Sequence, residues 1–135
     1  MGNHEDEVLM FKNFKHLYEG LMQADMAKVL RHCEKLPTDY QLPRRLTVLE
    51  DTLLHTAVHM GHENIARELL NRCLRKNQHS LICEPNVVGD TILHEVAATN
   101  MVSLARDLLD NAPQLLSTPN ERKEMPLFRI ISLLY

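Results

Sequence analysis

An internal repeat constrains the fold of this chain more than any other feature of its sequence. Segment 51–58 returns 39 residues later as segment 90–97, and both contain an Asp-Thr pair followed, after one apolar residue, by Leu-His. At the same offset, Ile65-Ala66 returns as Leu104-Ala105 and Leu69-Leu70 as Leu108-Leu109. A fixed period of this length is typical of solenoid proteins, in which each unit buries its apolar face only against its neighbours.

Each unit predicts two short antiparallel helices. Thr52 and Thr91 stand where a hydroxyl accepts a hydrogen bond from the free N–H groups of a first helical turn. Gly61 then predicts the end of the first helix, because glycine adopts the left-handed conformation freely. Asn100 is the equivalent residue in the next unit, and asparagine also tolerates that conformation. The apolar pairs that follow place one buried stripe on each second helix.

The same pattern predicts the organisation of the whole chain. A third copy begins at Asn120, and a degenerate copy precedes the two clear ones. The repeats cover residues 13–129, with a degenerate first unit at 13–36, full units at 51–73 and 90–112, and a partial unit at 120–135. Residues 1–12 are interpreted as a disordered acidic leader, and segments 36–45 and 75–84 as loops. The predicted fold class is an all-α solenoid of stacked helix-turn-helix units.

Composition and charge exclude several classes of function. The net charge is −3 with both signs mixed along the chain, so no basic face for nucleic acid is expected. No apolar run reaches the roughly 20 residues that a membrane-spanning helix needs. Three cysteines without CxxC spacing and a polar start without a signal peptide favour free thiols and a cytoplasmic location. Gly2 is a poor myristoylation site because position six is Asp6. Cys83 is the thiol expected to be most exposed, and a redox role for it is left open.

Histidine-based chemistry is not supported by the spacing of the side chains. His55 and His59 are one helical turn apart, a spacing that zinc can use, but no acid or cysteine completes a ligand set. His94 and Glu95 open the metalloprotease pattern HExxH, yet its second histidine would stand at Ala98. The sequence therefore predicts no enzyme, no metal site and no cofactor.

The two Thr-x-Leu-His segments, with their Ile-Ala-x-x-Leu-Leu type second helices, resemble ankyrin repeats. The proline of the usual Thr-Pro-Leu-His motif is replaced here by Leu53 and Ile92. The resemblance implies a protein–protein interaction module, in which the motif histidine forms hydrogen bonds within the loop and the helix start. The positions assigned to the structural motif are Thr52, His55, Gly61, Thr91, His94 and Asn100.

A narrower resemblance begins near the start of the chain. Segment 17–21 reads Leu-Tyr-Glu-Gly-Leu and is followed by Ala24-Asp25, which is similar to the first repeat of plant ankyrin proteins that carry a C-terminal membrane domain of the PGG type. These are proteins of the accelerated-cell-death and salt-tolerance type. The resemblance implies the cytosolic part of a membrane-associated stress or defence signalling protein, here without the membrane domain.

The ankyrin resemblance also implies where a partner protein binds. Ankyrin stacks commonly hold partners with their hairpin tips and the exposed side of the first helices. The corresponding positions are Val87, Val88, Glu121, Arg122 and Lys123 at the tips, and Thr56, His59 and Glu95 on the first helices. The alternative is a truncated fragment that has no function or acts by stacking on a full-length relative, which the apolar tail 130–135 favours.

Overall fold

The structure is a computed structural model that describes residues 4–35, 51–126 and 130–131. All the regular elements in these ranges are helices. They are α1 (His4–Met22), α2 (Met26–Glu34), α3 (Leu53–His59), α4 (Glu63–Arg75), α5 (His79–Ile82), α6 (Ile92–Ala97) and α7 (Val102–Asn111), followed by a 3₁₀ helix at Pro113–Ser117. The predicted all-α class is confirmed. The predicted loop 36–45 and most of the tail 130–135 lie outside the described residues.

The helices pack as consecutive pairs, and the pairs stack side by side. Helix α1 packs on α2, α3 on α4, and α6 on α7, while α3 also contacts both α1 and α6. Because α3 lies between two neighbouring first helices, its residues from Leu53 to Val58 are all buried. None of the described helices combines the length and apolarity needed to cross a bilayer.

One apolar core runs through all three pairs. Equivalent positions of the repeat supply it, since Leu17 in α1 and Leu54 in α3 are both buried, as are Cys33 in α2 and Leu70 in α4. Other side chains that are at most 1% exposed include Leu21, Val29, Leu53, Ala66, Leu69, Cys73, Ile92, Leu93, Leu104, Ala105 and Leu108. The core is therefore aliphatic and continuous across the stack, as the repeat pattern predicts.

The turns between paired helices are closed either by a residue with a positive φ or by hydrogen bonds from a side chain. Gly61 has φ +81°, which confirms the predicted left-handed position. The prediction for Asn100 is wrong, because Asn100 does not have a positive φ. There the side chain of Thr99 closes the turn, since its hydroxyl donates to the Val96 carbonyl (2.7 Å) and accepts from the Met101 N–H (3.2 Å).

The first pair carries two departures from the usual repeat. Ala24 holds the turn between α1 and α2 with φ +53°, a conformation that costs an L-residue with a side chain about 1–2 kcal/mol. Gly20 lies inside α1, and a Cβ there would come within 2.9 Å of the Val29 side chain. The missing side chain therefore allows α2 to pack closely on α1.

Two predictions about irregular segments are corrected. Residues 4–12 form the first half of α1, so the predicted disordered leader does not extend over them. The predicted loop 75–84 contains α5, a single helical turn.

Candidate protein-interaction surface

The first tip, residues 86–90, is a tight turn held by the side chain of its first residue. The Asn86 side-chain oxygen accepts from the N–H groups of Val88 (3.1 Å) and Asp90 (3.0 Å). The Asn86 N–H in turn donates to the Asp90 carbonyl (2.9 Å). Gly89 has φ +80°, and a Cβ there would lie 2.8 Å from the Glu121 nitrogen. Val87 and Val88 are exposed, and the backbone that carries them is held by hydrogen bonds within the turn.

The second tip, residues 120–124, repeats this hydrogen-bond pattern 34 residues later. The Asn120 side-chain oxygen accepts from the N–H groups of Arg122 and Glu124, both at 3.0 Å. Lys123 takes the position of the glycine, with φ +62°. Glu121, Arg122 and Lys123 are exposed, as the sequence predicts for a tip. Their contact with a partner stays a prediction.

Side-chain amides and carboxylates join each tip to the preceding unit. The Asn86 Nδ2 donates to Asp51 Oδ1, and the Asn120 Nδ2 donates to Asp90 Oδ1, each at 2.9 Å. The Glu121 N–H also donates to the Val88 carbonyl (3.0 Å). The structural roles of these asparagines and aspartates were not predicted, although Asn86 and Asn120 are equivalent in the repeat and could have signalled them.

The two motif histidines connect a helix start to the next tip. His55 Nδ1 lies 2.7 Å from the Thr52 hydroxyl and accepts from the Thr52 N–H (3.4 Å), while its Nε2 lies 2.9 Å from the Asp90 carbonyl. His94 repeats this arrangement, since it accepts from the Thr91 N–H (3.0 Å) and its Nε2 lies 2.8 Å from the Glu124 carbonyl.

Because a carbonyl only accepts, each Nε2 carries the proton, and the neutral imidazole keeps Nδ1 as its acceptor. The predicted hydrogen-bonding role of His55 in the loop and helix start is confirmed. Both of its ring nitrogens are engaged, which leaves none for a metal ion. Burial lowers the pKa of His55, an effect that the Asp90 carbonyl partly opposes.

On the first helices, the exposure of the predicted contact residues agrees only in part with the prediction. Thr56 is buried rather than exposed, because α3 is enclosed by its neighbours, and its hydroxyl donates to the Thr52 carbonyl (2.9 Å). His59 is exposed, and its Nδ1 lies 3.7 Å from Glu95 Oε2 on α6. Glu95 is half-buried, and burial, assisted by the negative charge of Asp51, raises its pKa. His59 and Glu95 thus form one small polar patch across two units.

Two shallow depressions flank this surface. A cleft of about 140 Å³ lies between the tips and is lined by Val88, Asp90, Asn120, Arg122 and Glu124. A wider groove of about 410 Å³ lies at the other end of the first helices, beside Ala24 and Gly61.

Among the described residues, no group of three His, Cys, Asp or Glu side chains is placed to hold a metal ion. Burial raises the pKa of Cys33 to about 11 and that of Cys73 to about 12, so both thiols stay protonated at neutral pH. Cys83 is half-buried, its pKa is also raised by burial, and the Gln114 side-chain nitrogen lies 3.5 Å from its sulfur.

Comparison with known proteins agrees with this geometry. Residues 50–78 match the ankyrin repeat family. A chain in the crystal structure of the yeast ribosomal protein Rps3 in complex with its chaperone Yar1 is similar, with a TM-score of 0.73 and 17% identity over 90% of this chain and 85% of that chain. No curated protein matches the sequence. The fold of this chain is therefore an all-α ankyrin-repeat solenoid.

Proposed function

We propose that this chain is a protein-binding module that holds its partner with the two tips and the adjoining His59–Glu95 patch. The observation that carries the proposal is the exposure of Val87 and Val88 on a tip whose backbone is fixed by internal hydrogen bonds. Burying exposed apolar side chains favours association, and a rigid surface loses little conformational entropy when it binds.

The fold supports the same class of function. Ankyrin repeats are protein–protein interaction modules, and residues 50–78 match that repeat. The second tip adds Glu121, Arg122 and Lys123, so charges of both signs surround the apolar pair. Charged side chains at the rim of an interface select the partner and its orientation more than they add affinity.

The proposal is tested by affinity capture from an extract of the cells that produce the chain. The test variant replaces both tip valines, as Val87→Ser with Val88→Ser. The matched control is Met22→Ser, which removes the exposed apolar side chain at the end of α1. Circular dichroism first establishes that both variants keep the wild-type helix content.

We expect the tip variant to bind a captured partner about tenfold or more weakly, since each loss of roughly 1.4 kcal/mol is a factor of ten in affinity. The control should bind like the wild type. Unchanged binding by the tip variant, or equal losses in both variants, would show that the partner uses another surface.

We also propose a narrower role, in which the chain is the cytosolic interaction part of a plant stress or defence signalling protein whose full-length relatives lie at a membrane. The support is the first-repeat pattern of segment 17–21 with Ala24-Asp25. Leu17 and Leu21 of that pattern are fully buried in α1. Cell fractionation of the tagged chain tests this role. Recovery with soluble cytosolic proteins, together with co-purification of a membrane-anchored relative or its partner, is expected, whereas recovery in another compartment would contradict it.

A further inference from the structure

A pair of stacked imidazoles lies inside the first helical pair, away from the interaction surface. His16 on α1 and His32 on α2 have ring centroids 4.6 Å apart and ring planes inclined by 19°. His32 is buried at 8% exposure, whereas His16 is partly exposed. On the inner side, His32 Nδ1 lies 3.4 Å from the side-chain oxygen of Asn13, which is itself buried.

The charged groups around these rings are mostly positive. On α2, Lys28 and Arg31 precede His32, and Lys35 follows at the helix end; all three act on His32 in the direction that disfavours its protonation. On α1, the carboxylate of Glu19 lies 3.5 Å from His16 Nδ1 and 3.3 Å from the Lys28 ammonium, while Lys15 acts on Glu19 from the same helix. The negative charge of Glu19 is therefore shared between His16 and the nearby cations Lys28 and Lys15.

This arrangement is compatible with two neutral rings and disfavours two charged ones. Like charges at stacking distance repel each other, and a buried imidazolium has lost most of its hydration. Burial first, and then the charges of Lys35 and His16, lower the pKa of His32. The unfolded chain therefore binds a proton at this histidine near its ordinary pKa of about 6.5, and the folded chain binds it only at a lower pH. The stability that the neutral His32 contributes is complete above a pH of about 6.5 and is lost as the pH falls through the lowered pKa of the folded state.

Among the described residues, the first pair has fewer contacts with the second pair than the second pair has with the third. Helix α1 packs mainly against α2 and has fewer contacts with α3. An ion pair between Glu34 of α2 and Arg72 of α4 joins the second helices, but the Glu34 side chain is 63% exposed, so water weakens the attraction. The left-handed Ala24 adds strain to the turn that connects α1 and α2.

We propose that the His16–His32 pair makes α1 and α2 an acid-sensitive element, which opens and leaves the stack in mildly acidic solution more readily than the helices from α3 onward. Proteins open locally in contiguous units, and the units with the weakest contacts to their neighbours open first. Protonation of His32 adds a positive charge beside the cations of this one unit. The chain thereby gains a pH-dependent number of folded repeats.

Hydrogen exchange followed by mass spectrometry at pH 7.4 and pH 5.5, with rates corrected for the intrinsic effect of pH, tests the proposal. On going to pH 5.5, we expect the amides of α2 to lose at least tenfold more protection than those of α4. Equal losses in α2 and α4 would place the acid sensitivity elsewhere, because His55 in α3 also has a pKa lowered by burial.

The variant His32→Gln removes the proton-binding ring and keeps a polar side chain next to Asn13. It is expected to abolish the extra loss of protection in α2. The matched control His79→Gln alters an exposed histidine on α5 and should keep the wild-type loss. If His32→Gln does not fold, His16→Gln provides the same test, because it removes the like charge from the stack. Full retention of the α2 loss in a folded variant of either histidine overturns the proposal.

Discussion

At the scale of single residues, substitutions of two glycines distinguish the free-energy cost of a left-handed backbone from that of a steric overlap. Gly61 and Gly89 have nearly the same φ, +81° and +80°, but only Gly89 has neighbours that a Cβ would strike. Gly61→Ala is expected to cost about 1–2 kcal/mol, the price of a left-handed L-residue. Gly89→Ala should cost at least about 1 kcal/mol more, because the overlap is with the Glu121 and Asn120 backbone.

Urea denaturation of both variants measures this difference. Similar unfolding free energies for Gly61→Ala and Gly89→Ala would mean that the two tips do not approach as closely as the structure shows.

A substitution at Ala24 is expected to stabilise the fold, whereas the two glycine substitutions destabilise it. Its φ of +53° is unfavourable for alanine, and the residue is exposed, so no packing is lost when its methyl group is removed. Ala24→Gly should raise the free energy of unfolding by roughly 1 kcal/mol, after the entropy that glycine adds to the unfolded chain. Ala27→Gly on α2, also exposed but helical, is the control and should be destabilising. Thermal unfolding separates the two outcomes, and a loss of stability in Ala24→Gly would contradict the strained turn.

A residue's place could be predicted from the sequence where one backbone conformation determines the residue type, and not where spatial neighbours determine it. Gly61 could be assigned because glycine is the residue best suited to a left-handed turn. Asn100 could not, since the adjacent Thr99 supplies hydrogen bonds that close the turn without a positive φ. Thr56 was expected to be exposed by analogy with the partner-binding side of ankyrin first helices. Its burial depends on helices on both sides of α3 and on a carbonyl that satisfies its hydroxyl.

At the scale of elements, each motif histidine stabilises a helix start and a contact with the next unit. His55→Ala should cost about 2–4 kcal/mol, because it leaves the Thr52 N–H and the Asp90 carbonyl without this partner and opens a cavity. His59 lies on the same helix but is exposed, so His59→Ala should change the free energy of unfolding by less than about 0.5 kcal/mol. Denaturant unfolding measures the loss of stability in both variants. Equal losses would contradict the assigned role of His55.

The helices themselves were predictable where the apolar stripe is regular. Caps at Thr52 and Thr91 and the pairs of α3–α4 and α6–α7 follow from local sequence. The N-terminal end of α1 was not predicted, because residues 1–12 were interpreted from their acidic composition as a leader. The short helix α5 has too few residues for a periodic signal.

At the scale of the whole molecule, the units are coupled by polar contacts as well as by the apolar core. Asn86 reaches back to Asp51, Asn120 reaches back to Asp90, and the histidines span the same boundaries. The repeat in the sequence predicts that units stack, but these contacts depend on how far apart the stacked tips are. The positions of the tip residues could be predicted because they follow from the repeat register. The identity of the partner could not, because it depends on the surface of another molecule.

The interaction surface is tested most directly by hydrogen exchange of the chain with and without a captured partner. We expect binding to slow exchange in tip residues 86–90 and 120–124 and near His59, while the outer helices α2 and α4 keep their free-state rates. Protection confined to α2, α4 or α7, with both tips unchanged, would contradict the claim that the tips and inner face form the binding surface.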